Sequence, residues 1–137
     1  MTTDSVLRAV LEQAKTIAVV GLSDKPDRDS YRVAAYLQRA GYRIVPVNPA
    51  LDAPVLDEQP YATLEDIPFA VDIVDVFRRA DAVPAIVASA IGIGASYLWL
   101  QLGIVHPEAT ARAEAAGIGV VADRCMKIEH ARLLPST

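Results

Sequence analysis

Ile17-Ala18-Val19-Val20-Gly21-Leu22-Ser23-Asp24-Lys25-Pro26-Asp27-Arg28-Asp29-Ser30 is the stretch on which the fold turns. The apolar run Ile17 to Val20 has no polar alternation, so it reads as a strand covered on both faces, the habit of a parallel sheet. Gly21 stops the run, and the polar, Pro26-containing segment after it reads as a loop. Val33, Ala34, Leu37 and Ala40 then fall on one helical face, which Gly41 closes. Arg43 to Val47 is a second strand, ended by Asn48 and Pro49.

Upstream, an opening helix is predicted from Asp4 as N-cap through Val6, Leu7, Val10, Leu11 and Ala14, stopping at Lys15 and Thr16. Downstream, the proline-rich segment Pro49 to Pro68 reads as connection, with one short helical signal, the capping box Thr63-x-x-Asp66. Val71 to Phe77 is a third strand. The helix after it is placed from Asp81, with Pro84 in its first turn, Val83, Ile86, Val87 and Ala90 buried, and Gly92 and Gly94 at its end. Tyr97 to Leu100 is a fourth strand, Pro107 opens a helix that Gly117 closes, Ile118 to Ala122 is a fifth strand, and a last helix covers Cys125 to Leu133. Strands alternating with helices predict an α/β fold: a doubly wound, five-stranded parallel sheet in three αβα layers. The length of 137 residues supports one core, so residues 1–137 read as a single domain.

The formal net charge of −4 leaves no global positive field for nucleic acid or an anionic membrane. Any anion must therefore be held locally. Cys125 is the only cysteine, which excludes an internal disulfide framework and fits a reducing, cytoplasmic setting. Thr2, Thr3 and Asp4 lack the character of a signal peptide, and the apolar stretch Ala85 to Ala95 falls short of the roughly 20 residues of a membrane helix.

In doubly wound sheets ligands occupy the crevice outside the carboxyl ends of the strands, so the loop after the first strand matters most. Gly21 permits a tight turn and close backbone approach, and the following helix offers unpaired N–H groups and a positive dipole end to a phosphate. Ser23 and Ser30 add hydroxyls, Ser30 as helix cap or ligand contact. Lys25 and Arg28 supply local positive charge, unless Asp24, Asp27 and Asp29 merely balance them in solvent. The dinucleotide pattern G-x-G-x-x-G fails, because Ser23 and Pro26 stand at its second and third glycine positions, and Asn48 replaces the acidic residue that grips a ribose. No G-x-x-x-x-G-K-[ST] phosphate loop is present.

The residues Ile17 to Ser23, Pro26, Arg28, Ser30 to Val33 and Tyr36-Leu37 resemble the opening motif of the small CoA-binding protein family. The resemblance returns at Val47-Asn48-Pro49, at Val74 to Arg79, at Leu98 to Gly103 and at Asp123 to His130, covering nearly all of the chain after residue 15. That family is similar to the CoA-binding domain of the succinyl-CoA synthetase alpha subunit and has a Rossmann-like fold. The resemblance implies coenzyme A as cofactor, with phosphates on Gly21, Leu22, Ser23, Lys25, Arg28 and Ser30. It places adenosine beside Val47, Asn48 and Pro49, and pantetheine along the ends of the third and fourth strands, past Phe77, Arg78, Arg79 and Gln101. After Pro49 the chain departs from the pattern: Ala50-Leu51-Asp52-Ala53 lacks the lysine and glycine often found there, the side from which the 3′-phosphate is approached.

Several chemistry-bearing residues have structural readings instead. Phe77 is equally a core residue, and Gln101 equally a partner for loop backbone groups. Cys125 and His130, five apart on one helix, face different ways, which argues against a nucleophile and its base, and Cys125 reads as a small buried group. His106 is placed to cap a helix; two histidines cannot form a three-histidine zinc site, and no metal site is expected. Asp72 and Asp75 fall on opposite faces of a strand, Asp75 serving loop N–H groups, and Trp99 belongs to the core. No catalytic residue is assigned.

The leading expectation is non-catalytic binding of CoA or a short acyl-CoA as sensor, carrier or regulatory module. Alternatives are an NAD(P)-dependent oxidoreductase using the same crevice, or a CoA-site subunit of a larger acyl-CoA synthetase. The first needs no partner beyond the ligand; the last needs a second protein, and homo-oligomerisation is open.

Overall fold

A computed structural model describes residues 3–134; the ends of the expected 1–137 domain lie outside the described residues. Its sheet holds β1 (Thr16–Val20), β2 (Arg43–Val47), β3 (Ile73–Val76), β4 (Tyr97–Leu100) and β5 (Gly119–Val121), all parallel, in the order β2-β1-β3-β4-β5. The expected doubly wound, Rossmann-like α/β fold is present. Strand order reverses between β1 and β3, the position where such sheets open a crevice at their carboxyl edge.

Alternate strand residues feed two cores. Ile17, Val19, Ile73, Trp99 and Val121 pack under α1 (Asp4–Gln13), α2 (Asp29–Arg39) and α5 (Met126–Leu133), through Leu7, Leu11, Val33, Leu37, Met126 and Leu133. Ala18, Val45, Val74, Val76, Leu98 and Leu100 pack on the other face under α3 (Val83–Ile93) and α4 (Pro107–Ala115), through Val83, Val87, Ala90, Ala109 and Ala113. This period-two division of continuous apolar runs is why no strand looked amphipathic in the sequence.

Pro46 is tolerated because β2 is an edge strand whose outer side Pro46 faces. Its carbonyl accepts from Tyr61 N–H at 2.9 Å, so the N–H it lacks points away from β1. Asp72 fixes the other end of the sheet: its Oδ2 accepts from the N–H groups of Lys15 and Thr16, each at 2.9 Å, and its carbonyl takes the N–H groups of Ser96 and Tyr97.

Element ends correct several expectations. Thr3, not Asp4, caps α1, its hydroxyl accepting from Val6 N–H. The capping box at Thr63 does not form; Leu64–Asp66 is a 3₁₀ turn without a side-chain cap, because the shorter aspartate replaces the glutamate or glutamine of the motif. Gly92 lies inside α3, and Gly94 alone ends it in a left-handed conformation (φ 71°); Ile86 is half-buried rather than core. His106 does cap α4, its Nδ1 accepting from Ala109 N–H at 3.2 Å.

Candidate functional site

Gly21 ends β1 with φ +89°, and its own N–H remains in the ladder, donating to the Val47 carbonyl at 2.8 Å. A Cβ there would meet the Phe77 carbonyl oxygen at 2.7 Å and Arg78 Cδ at 2.9 Å. The glycine is thus required by the chain's own backbone at the end of β3, a different reason from the ligand approach expected of it. From there the loop folds on its hydroxyls. Ser23 N–H donates to Ser30 Oγ at 3.0 Å, and Lys25 N–H donates to Ser23 Oγ at 3.1 Å. Ser30 is the second residue of α2 and is buried, so it braces the loop and does not cap the helix.

The N-cap of α2 is Arg28, with no side-chain cap, and the N–H groups of Asp29, Ser30 and Tyr31 have no acceptor among the described residues. These donors carry the positive end of the helix dipole. Gly21, Ser23, Lys25, Arg28, Asp29, Ser30 and Phe77 line an open cleft of about 470 Å³ over them. Lys25 and Arg28 form no salt bridge among the described residues. Of the neighbouring aspartates, Asp29 is engaged elsewhere: it pairs with Arg32 at 2.5 Å, and Arg32 also donates to the main-chain carbonyl of Asp27. The cleft is net cationic and rich in unused donors, the requirement for an oxyanion of the phosphate class.

Leu22 is fully buried in the core, so only its main chain borders the loop; its carbonyl accepts from Asn48 Nδ2 at 3.2 Å. The Asn48 amide is occupied on both ends, since Oδ1 accepts from Ala50 N–H at 3.0 Å. It ties the end of β2 to the β1 loop, a role its position shared with a ribose-binding acid did not disclose. Val47 is buried, yet with Val20, Pro49, Leu64, Ile86 and Arg78 it lines a second, apolar hollow of about 280 Å³ beyond β1 and β2.

Past β3 the largest cleft opens, about 800 Å³, between the β3 and β4 ends, α2 and α5. It is lined by Val33, Phe77, Arg78, Arg79, Gln101, Leu102, Ile104, Cys125 and Ile128 among others. Phe77 belongs to both this cleft and the phosphate-side cleft, and Arg78 to both this cleft and the apolar hollow, so the three form one contiguous edge. Arg79 is exposed and lies 3.7 Å from Asp81.

Two expectations for this edge are corrected, those for Asp75 and Cys125. Asp75 does not serve loop N–H groups: it is fully buried, Gln101 Nε2 donates to its Oδ1 at 2.5 Å, and its Oδ2 has no partner among the described residues. Burial pushes its carboxyl up to about 7, against the smaller opposing effect of the Gln101 hydrogen bond. Gln101 is itself buried beneath the cleft, its amide nitrogen held by Asp75. Cys125 is half-exposed and lines the cleft rather than filling the core, because it precedes α5 as N-cap and so faces the carboxyl edge.

The segment Asp123 to His130 acts as a brace. Asp123, at φ +59°, accepts from Gly103 N–H at 2.7 Å, and the Arg124 carbonyl accepts from Trp99 Nε1 at 2.9 Å. Glu129 receives Arg124 at 2.7 Å and Arg132 at 2.9 Å, and Arg132 reaches Asp4 on α1. Burial pushes the Glu129 carboxyl upward, but its two arginines outweigh this and hold it below its ordinary value. His130 Nδ1 lies 2.9 Å from the Tyr36 hydroxyl, so its imidazole is directed at α2 and not at Cys125. Among the described residues no group of three or more His, Cys, Asp or Glu side chains is placed to hold a metal ion, and no helix is long and apolar enough to cross a membrane.

Comparison with known proteins bears on this edge. The family model described as a CoA binding domain matches residues 15–131. An uncharacterized Bacillus subtilis (strain 168) protein, YneT, is 40% identical over 125 residues, spanning 91% of this chain and 92% of its own. A Thermus thermophilus structure matches with TM-score 0.93 and 43% identity over 97% of this chain and 100% of that one. A dinucleotide-forming acetyl-coenzyme A synthetase from Ca. Korarchaeum cryptofilum shares the fold at TM-score 0.73 and 21% identity, over 88% of this chain and 27% of that one.

Proposed function

The chain belongs to the CoA-binding domain family, and from that premise we propose that it holds coenzyme A non-covalently along the carboxyl edge of its sheet, without turning it over. The diphosphate rests on the N–H groups of Asp29, Ser30 and Tyr31, flanked by Lys25 and Arg28. Adenosine takes the apolar hollow beside Val47 and Pro49, and the pantetheine arm runs past Phe77 and Arg78 toward Gln101.

One observation carries this reading: an uncapped helix end, two unpaired cations and a cleft of about 470 Å³ meet where strand order reverses. Asn48 is held by the Leu22 carbonyl and the Ala50 N–H and is no carboxylate, so the acidic group that grips a nicotinamide dinucleotide's ribose does not stand at the end of β2. The binding-only role is supported by the groups nearest the pantetheine path. Gln101 and Asp75 are bonded to each other, and the imidazole of His130 is engaged by Tyr36 away from Cys125.

Calorimetric titration with CoA, dephospho-CoA, acetyl-CoA and NAD tests the reading. CoA and acetyl-CoA are expected to bind and be recovered unchanged, with NAD at least tenfold weaker. Tighter binding of NAD than of CoA, or consumption of acetyl-CoA by the protein, contradicts it.

A further inference from the structure

The large cleft offers room and apolar surface beyond the phosphate-side cleft. Resting on the CoA reading above, we propose that it is a subsite for an aliphatic acyl chain carried as a thioester on that cofactor. Its volume, about 800 Å³, lies toward the upper end of the range that encloses a whole small ligand. It is continuous with the phosphate-side cleft through Phe77 and Asp29. The thiol end of a molecule anchored at α2 therefore enters it.

The lining combines apolar side chains with the cations Arg32, Arg78, Arg79 and Lys127. Leu102 is 59% and Ile128 54% exposed, two of the few large apolar side chains left in solvent among the described residues, and both belong to this one cleft with Val33 and Ile104. Apolar exposure gathered at a cavity marks a surface that something covers. The polar floor is suited to the thioester end: Gln101 gives its amide nitrogen to Asp75, and its carbonyl oxygen has no donor among the described residues, leaving an acceptor for a pantetheine N–H. The acid nearest the entrance, Asp29, is already paired with Arg32. Occupant and anchor share one path, which favours a chain attached to the cofactor over a separate protein.

Calorimetry with CoA and its acetyl, butyryl and hexanoyl thioesters, on the native protein and on Leu102→Glu and Ile128→Glu, tests this. Both substitutions are at exposed positions, and sedimentation of each variant reports its oligomeric state. Affinity is expected to rise about two- to fourfold per methylene from acetyl to hexanoyl. Each variant should flatten that gradient and keep the native Kd for CoA within about twofold. CoA binding with a flat acyl series overturns the acyl subsite alone. So does a dimer that the two variants split with no acyl gradient in the native protein. Absence of binding by every member of the series overturns the CoA reading and this inference together.

Discussion

The Phe77 carbonyl oxygen lies 2.7 Å from the point where a Cβ on Gly21 would stand, across the β1–β3 junction. The phosphate-side loop is therefore seated on the end of β3, and the two strand ends that open the crevice are held in van der Waals contact by the absence of one side chain.

Gly21→Ala places a methyl against that carbonyl and forces a non-glycine residue to φ +89°. The expected cost is ~2–4 kcal/mol of stability, from backbone strain and displacement together, with loss of CoA affinity as the loop shifts. Denaturant unfolding of the variant measures it; an unchanged midpoint would show that β1 and β3 do not approach as described.

Arg28→Ala removes an exposed cation with no ion-pair partner among the described residues, so Tm should not move. CoA affinity should fall about tenfold, ~1.4 kcal/mol, and native affinity should decline with added salt. Calorimetry at two salt concentrations checks both; an unaltered Kd removes Arg28 from the site.

Asp75 is raised to about 7 in the folded chain from an ordinary 3.8, so the native state keeps a proton that the unfolded state gives up. Its contribution is complete below pH 3.8 and lost as pH rises toward 7, at up to ~1.4 kcal/mol per pH unit in that window. Asp75→Asn, which imitates the protonated acid and keeps an acceptor for Gln101, should cancel that fall and exceed the native stability above pH 7. Urea unfolding from pH 4 to 8 provides the comparison, and parallel curves for both proteins would refute the buried proton.

Glu129→Gln leaves Arg124 and Arg132 facing a neutral amide on a buried site and should destabilise by ~1–3 kcal/mol. Because its pKa is held down in the fold, the native Glu129 contributes above its unfolded pKa, and that contribution is lost as pH falls through the folded one. Thermal unfolding at neutral and acidic pH should therefore bring variant and native protein together at the acid end; a constant difference would mean the arginines do not depend on its charge.

Much of this was legible in the chain. Ile17 to Val20 and Arg43 to Val47 are continuous apolar runs ended by turn residues, and such runs are what a strand buried on both faces requires. The cations and the helix start beside them were readable because loop and helix adjoin in sequence, but that Ser30 braces the loop instead of capping the helix was not. What the sequence hid depends on residues far apart along it. Asp75 meets Gln101 only once β3 and β4 pair, and Gly21 meets Phe77 only once β3 lies beside β1. Cys125 was read as a small buried group, yet its place before the first turn of α5 turns it to the cleft. Asp123 tolerates a left-handed backbone, a signal available from its residue type but not specific enough to act on.

The most direct measurement is a backbone-amide NMR titration with CoA. The amides of Asp29, Ser30 and Tyr31 should show the largest shifts, saturating together with Ser23 and Lys25, and Arg28→Ala should require about tenfold more CoA to reach the same endpoint. Saturable CoA binding that leaves those three amides unmoved would place the diphosphate elsewhere and contradict a phosphate seat at the tip of α2.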